Sequence, residues 1–257
     1  GDFAYDMDQG NARVGDAFMR KIEPVAASVP YMTCPGNHEE KYNFSNYRAR
    51  FSMPGNTEGL WYSWDIGPAH IISFSTEVYF WVLGLLGCAT DSVFLAPSWD
   101  IGPAHIISFS TEVYFYDDCT EHESIIRRGL QHQYGLEDLF YKYGVDLELW
   151  AHEHSYERLW PVYNYQVYNG SASSPYTNPR APVHIITGSA GCKERLDPFV
   201  PRPREWSALR IEDYGYTRLH VANRSHIWLE QVSDDQDGKV VDGVWVIKNL
   251  HGPEAWH

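Results

Sequence analysis

Three short polar clusters carry the residue types of a metal-dependent hydrolase: Gly1-Asp2-Phe3-Ala4-Tyr5, then Gly36-Asn37-His38-Glu39, and far downstream His152-Glu153-His154 running into Ser155-Tyr156-Glu157-Arg158. A carboxylate can bridge two cations, and an Asn carbonyl with neutral imidazoles completes their shells, a donor mixture suited to iron, zinc or manganese. Tyr5 narrows the choice, because a phenolate is a hard anionic donor that favours a ferric ion over zinc. In an extended segment, side chains two positions apart share a face, so His152 and His154 are expected to reach two adjacent metals. Paired ions about 3.5 to 4 Å apart clamp both the attacking and the leaving oxygen of an in-line displacement. His38, beside the candidate ligand Asn37, then faces substrate, where it can steady a phosphate oxygen or protonate a leaving alcohol.

Longer stretches surround these clusters: GDFAYDM, CPGNHE, YRARFSMPGN, LWYSWDIGPAHIISFSTEVYF, YGLEDLFYKYGVDLELWAHEHSYERLWP, PVHIITGSAGC and QVSDDQDGK. Together they resemble the purple acid phosphatases, in their animal form, over most of the chain. The resemblance implies an acid phosphatase that hydrolyses phosphate monoesters at a dinuclear centre of Fe(III) and a divalent metal (Fe, Zn or Mn), with hydroxide held by the metals as nucleophile. It makes Asp2 the bridging carboxylate, Tyr5 and His154 ligands of the ferric site, Asn37 and His152 ligands of the divalent site, and His38 a substrate-contacting acid. Ala151 stands where many relatives carry Gly.

The same resemblance exposes two gaps. The family begins its site with an Asp-x-Gly strand upstream of GDxxY, and this chain starts after it; a Gly-His-Arg-Pro-like segment expected before His152 has no match between residues 81 and 118. Each metal would keep three protein ligands, enough for a catalytic ion with an open position but with weaker chelation. The alternative is therefore a catalytically impaired product of a mis-spliced or mis-assembled gene. Residues 63–80, SWDIGPAHIISFSTEVYF, recur without a mismatch at 98–115. Structural repeats tolerate drift and come in arrays of about three or more, so a single perfect copy reads as a duplication that overwrote the missing segment. Only one copy is expected in the native strand position, the other looping out or displacing a neighbour.

Several other residues carry blander roles. His70, His105 and His184 sit in Pro-Ala-His-Ile-Ile or Pro-Val-His-Ile-Ile contexts that read as core or edge histidines of strands. Ser233 to Gly238 suggests a calcium loop, but Val244 stands where the bidentate Glu is required, so Asp237-Gly238 reads as a hairpin turn. Gly188-Ser189-Ala190-Gly191 lacks the spacing of a serine nucleophile elbow and reads as a small-residue loop packed near the metal site.

Composition sets the limits. A chain of 257 residues with 44% hydrophobic and 15% aromatic content fills one large catalytic domain, taken as residues 1–257 with 81–115 as the aberrant insert. A formal charge of −14 with no long Lys/Arg cluster excludes nucleic acid as a partner. It does not exclude a small phosphate monoester, whose local field is set by bound cations. The apolar run at 81–97 is too short and too polar to span a membrane. Acceptor triplets at Asn43, Asn169 and Asn223 point to a secreted or lysosomal glycoprotein, while Cys34, Cys88, Cys119 and Cys192 form no disulfide scaffold. The sequence sets no oligomeric state.

The elements that must position the clusters follow from periodicity. Val14, Ala17, Phe18 and Ile22 predict a helix over 14–28, and Tyr31 to Cys34 a buried strand that would deliver Asn37 and His38 at its C-terminal end. Ile125 to Tyr143 reads as a helix, Val145 to Trp150 as the strand before His152, and Val183–Thr187, Thr217–Ala222, Ile227–Val232 and Val244–Ile247 as antiparallel strands. The expected fold is α/β: a calcineurin-like metallophosphoesterase sandwich of two mixed β-sheets flanked by helices.

Overall fold

The computed structural model describes residues 2–75, 104–110, 135–191 and 193–256. It has two principal sheets. The larger has seven strands in the order β1-β2-β3-β4-β8-β5-β9, and the smaller is the antiparallel meander β10-β11-β12. In the larger sheet these are Trp61–Ile66 (β1), Ala69–Ser75 (β2), Ala104–Ser110 (β3), Leu147–Trp150 (β4), Tyr156–Leu159 (β5), Val183–Thr187 (β8) and Ser207–Ile211 (β9). The meander runs through Gly215–Val221 (β10), His226–Ser233 (β11) and Lys239–Ile247 (β12), and a short hairpin joins Val162–Tyr163 (β6) to Gln166–Val167 (β7). The α/β architecture is as expected, with the smaller sheet purely antiparallel. β8 differs from expectation: it runs parallel to β4 and antiparallel only to β5, which makes the large sheet mixed.

β4 and β8 lie in the middle of the sheet, and Leu147, Val183 and Ile185 are fully buried. They meet Ile227, Leu229 and Val246 from the meander in one apolar cluster, which joins the two sheets. A strand covered on both faces reads as a continuous apolar run, which is why Val183–Thr187 shows little alternation. A further tie is the Arg158 guanidinium on β5, which donates to both carboxylate oxygens of Asp242 on β12 at 2.7 and 3.0 Å.

Helix α1 (Arg13–Ala26) occupies most of the predicted 14–28 span but ends at Ala26, and its Phe18, Met19 and Ile22 pack on a separate cluster of Met7, Phe44, Tyr47, Phe51 and Leu60. Helix α2 (Lys41–Arg50) contains three left-handed residues, Tyr42, Asn43 and Phe44. Of the predicted 125–143 helix, Glu137–Tyr143 (α3) is observed, and residues 125–134 lie outside the described ones. Gly144 closes it at φ 68°, with its N–H on the Tyr141 carbonyl.

Two expectations require correction. Tyr31 to Cys34 is not a strand. Its buried backbone is satisfied by side chains instead: the Thr33 carbonyl accepts from the Tyr47 and Tyr62 hydroxyls at 3.1 and 2.7 Å, so no ladder is needed. The described residues of the second copy do not loop out; of the two courses expected, displacing a neighbour is the one compatible with a place between β2 and β4. The Ala104–Ser110 segment pairs with Ala69–Ser75 of the first copy in perfect parallel register, Ala69 opposite Ala104 through Ser75 opposite Ser110, and its other edge pairs with β4. An apolar segment that suits one internal position of a sheet suits the adjacent one equally, so both copies become strands. The rest of the second copy, the segment 81–97 and the expected ligand gap fall outside the described residues, as do Cys88, Cys119 and Cys192. Cys34 is a buried free thiol.

Candidate functional site

Asn37 and His38 stand in a 3-10 turn, Asn37–Glu39, whose form is imposed by Glu39. This side chain is 2% exposed, and its carboxylate accepts three backbone N–H groups: Gly36 at 2.8 Å, Asp2 at 2.7 Å and Phe3 at 3.0 Å. One buried carboxylate therefore holds the GNHE turn against the first residues of the chain. Burial raises its pKa, while the Gly36 and Asp2 N–H donors oppose that shift. Glu39 has no assigned role in the sequence reading; a Glu three residues into a polar turn can make the carboxylate half of a capping box, reaching back to the N–H of the turn's first residue, here Gly36, and could have signalled it. Asp2 returns the tie, its Oδ1 accepting the His38 N–H at 3.2 Å.

On the other side, β4 ends at Trp150 and the chain bends through 152–155 before β5 begins at Tyr156. This corrects the extended geometry expected for the two histidines. His152 is left-handed, at φ 81°, so a backbone kink rather than the strand pleat sets where His152 and His154 point. Asp2, Tyr5 and Asp6 are also left-handed, at φ 58°, 47° and 78°. Non-glycine residues in this region cost energy and concentrate at functional sites. Gly188 opens the packing here: a Cβ on it would lie 1.9 Å from the Glu153 carbonyl oxygen, so the small-residue loop after β8 sits directly against the His-Glu-His bend. The loop reads as predicted.

The two halves meet in a cavity of about 350 Å³ lined by Asp2, Asn37, His38, His152 and His154, with Glu194 and Asp197 at its edge. Tyr5 joins through its phenol, 2.8 Å from His154 Nε2. All six candidate residues thus converge. His154 is held from behind, with Nδ1 3.0 Å from the Arg195 carbonyl and its backbone N–H donating to Asp197 at 2.7 Å. His70 and His184 lie elsewhere, as their contexts implied: His70 pairs with Asp65 at 2.7 Å, and His184 is buried beside Glu148 and Trp150. His105 has no described side chain.

The donor geometry suits cations. Two donors each about 2.0 to 2.1 Å from one ion, at right angles, stand about 3 Å apart, close to the Tyr5–His154 separation of 2.8 Å. Asn37 Oδ1 is buried without a hydrogen-bond partner, an arrangement that costs about 1–3 kcal/mol unless something is bound there. Among the described residues no three His, Cys, Asp or Glu side chains form a metal-holding group by themselves. The candidate shells draw on Tyr and Asn as well.

His38 is the most constrained titratable group of the pocket. Its Nδ1 lies 3.0 Å from Asp6 Oδ1 and its Nε2 3.8 Å from Glu194. Burial works against its charge, but the Asp6 hydrogen bond and the fields of Asp2, Asp6 and Glu194 prevail and raise its pKa. The same hydrogen bond lowers the pKa of Asp6.

Comparison with known proteins bears on family and fold. The calcineurin-like phosphoesterase profile matches residues 1–156, and that of the iron/zinc purple acid phosphatase-like protein C-terminal region matches 181–243. The chain is 66% identical to human acid phosphatase type 7 over 98% of its own length and 60% of that protein, and 64% identical to the mouse protein over 100% and 62%. It spans about 60% of the length of these curated relatives. The structure of purple acid phosphatase PPD1 from yellow lupin seeds superposes with a TM-score of 0.74 at 25% identity, covering 96% of this chain and 45% of that one. The chain belongs to the calcineurin-like phosphoesterases and, within them, to the purple acid phosphatase family.

Proposed function

We propose that this chain is the catalytic part of an acid phosphatase that hydrolyses small phosphate monoesters at a dinuclear centre of Fe(III) and a divalent ion. The observation that carries this reading is the convergence of Tyr5 on His154 at 2.8 Å, beside a pocket that gathers Asp2, Asn37, His38 and His152. In the proposed assignment Asp2 bridges, Tyr5 and His154 hold the ferric ion, and Asn37 and His152 hold the divalent one. When bound, the metals supply Lewis acidity and a nucleophile at acidic pH.

The chain's own residues supply the rest. Glu39 keeps Asp2 and Asn37 in mutual register across 35 residues of sequence through its bonds to Asp2, Phe3 and Gly36. The Arg195 carbonyl and Asp197 orient His154, the outer support on which metal-binding imidazoles depend. His38 presents Nε2 to the pocket, where it can deliver a proton to the departing ester oxygen. The open edge of the pocket suits a small substrate. Exposed Asn43 and Asn223 fit N-glycosylation and so a secreted or lysosomal setting, and no described helix is long and apolar enough to cross a membrane.

A second reading, an impaired family member, is motivated by the exact recurrence of residues 63–80 at 98–115, where a Gly-His-Arg-Pro-like segment is expected and has no match. Purified protein separates the two. The proposed function requires two metals per chain, the violet tyrosinate-to-iron absorption, and turnover of p-nitrophenyl phosphate near pH 5; a colourless, metal-poor and inert protein supports the second reading. Chelation should abolish colour and turnover together, and Tyr5→Phe should remove the colour.

A further inference from the structure

The outer face of the β10-β11-β12 meander carries an aromatic shelf that lies away from the pocket. Side chains alternate along these strands: Ile227 and Val246 are buried against the large sheet, while Trp228 and Trp245, opposite each other in register, stand on the other face with ring centroids 5.3 Å apart. Trp228 is fixed in place. Its Nε1–H donates to Glu230 at 3.2 Å, Arg218 holds Glu230 at 2.6 Å, and a Cβ on Gly243 would fall 2.7 Å from the indole, so the ring covers a glycine. Trp245, 44% exposed, is tilted 51° to it, and the two indoles form a floor and a wall.

One end of this shelf leads to Asn223, in the turn between β10 and β11. Asn223 Oδ1 accepts from the Ser225 backbone N–H at 2.9 Å and the Ser225 hydroxyl at 3.1 Å, and lies 3.2 Å from His226 Nδ1. The His226 ring stands edge-on to Trp245, centroids 6.0 Å apart. One imidazole thus separates the acceptor amide from the indole wall. The contacts of Asn223 all fall on Oδ1 and none on Nδ2, the atom that carries a glycan.

We propose that an N-linked glycan on Asn223 folds back onto this shelf, its first sugars laid against Trp245 and Trp228. This rests on the reading of the chain as a secreted glycoprotein. Attachment joins Nδ2 to the anomeric carbon of a lipid pyrophosphate-linked oligosaccharide; the anomeric C–O bond breaks, the lipid pyrophosphate leaves, and the amide nitrogen gives up one proton. A pyranose is apolar on the face where its C–H bonds align and polar at its rim, so it can cover an indole while its hydroxyls meet water or polar neighbours such as His220, opposite Trp228 in register. Tethering places the sugar at high effective concentration over the shelf, so weak stacking suffices. Asn169 lacks such a setting, its Oδ1 being buried.

The test uses the chain secreted from eukaryotic cells behind a signal peptide. Occupancy of each acceptor is read by peptide mass spectrometry, and an endoglycosidase that cuts within the glycan core is applied under native conditions. Asn223 should be occupied, and its glycan should be removed about 5- to 10-fold more slowly in the wild type than in Trp245→Ala, because cleavage waits for the sugar to leave the shelf. Removal at Asn43, on α2, should not respond to Trp245→Ala. Gly243→Ala, which displaces the Trp228 ring, should give part of the same acceleration with an unchanged circular dichroism spectrum. Equal removal rates at an occupied Asn223 in wild type and Trp245→Ala overturn the proposal and leave the glycoprotein reading standing. Occupancy elsewhere but not at Asn223 also overturns it, and a secreted, folded chain with no occupied acceptor overturns both. A Trp245-dependent dimer in sedimentation, with the glycan unprotected, would assign the face to a second copy of the chain instead.

Discussion

Two of the molecule's histidine–carboxylate pairs, one at the pocket and one in the core, have opposite electrostatic fates. At the pocket, Asp6 and His38 are 3.0 Å apart with side chains 31% and 20% exposed; the histidine is raised in pKa and the aspartate lowered, so the pair favours charge. In the core, Glu148 on β4 and His184 on β8 stand opposite each other in register and 3.3 Å apart, 1% and 2% exposed. Here burial raises Glu148 well above its ordinary range, helped by the nearby Glu137, and pushes His184 down to about 3. The core pair is neutral. Trp150 Nε1–H donates to His184 Nδ1 at 3.2 Å and His184 Nε2 faces the Val162 carbonyl at 3.2 Å, the pattern of an uncharged imidazole with its hydrogen on Nε2. The same two functional groups at similar distance differ because one pair keeps partial contact with water and the other has lost it.

Replacing His184 with Leu should have the largest effect. It strands the Trp150 N–H and the Val162 carbonyl in the core and should cost about 3–4 kcal/mol, measured by urea denaturation. A loss below about 1 kcal/mol would mean that water reaches the pair.

Glu39→Ala sharpens the comparison from a third carboxylate, as buried as Glu148 but bonded to three backbone N–H groups. It should cost about 2–3 kcal/mol, with faster amide exchange confined to residues 2–6 and 36–39. Faster exchange throughout β4 and β5 would show instead that the two walls of the pocket unfold together.

The core pair also shapes stability against pH. Glu148, raised by burial, contributes stability that is lost as pH climbs above the ordinary 4.5 and through its native value. His184, lowered to about 3, contributes stability that is present above the ordinary 6.5 and lost as pH drops from there toward 3. The two oppose each other between 4.5 and 6.5, leaving an acid limb owed to His184 and an alkaline limb owed to Glu148. Each limb has a slope of up to about 1.4 kcal/mol per pH unit. In Glu148→Gln the alkaline limb should vanish, with stability rising up to pH 6.5 and then levelling. Denaturation across pH 4 to about 8.5 tests this, and a retained alkaline decline would place the native proton elsewhere.

The smallest effect belongs to the exposed pair. His38→Ala should change stability by less than about 1 kcal/mol, since partly solvated pairs contribute little. A larger loss would make the pocket pair a structural element rather than a chemical one.

Much of this was legible in the residues. The clusters around Asp2, Tyr5, Asn37, His38, His152 and His154 pointed to one site because their donor types share one chemistry, and helix α1 and strand β4 followed from apolar spacing. Tyr31–Cys34 was misread because an apolar run does not say whether its backbone groups will meet a ladder or side-chain hydroxyls 14 and 29 residues away. Asp6 and the far half of Glu39's role are hidden in the sequence for a similar reason. The bond of Glu39 to Gly36 has a local pattern, but its reach to Asp2, 37 positions away, and that of Asp6 to His38, 32 away, have none.

By itself the sequence determined which donor atoms are available, the family they belong to and the apolar runs that must be buried, since these depend only on residue type and spacing. Tertiary structure alone decided that both copies of the repeat become neighbouring strands, that a kink at His152 replaces the pleat, and that one histidine–carboxylate pair favours charge while the other is neutral. Those outcomes turn on backbone pairing across long loops and on distance from water, which no residue carries in its own identity.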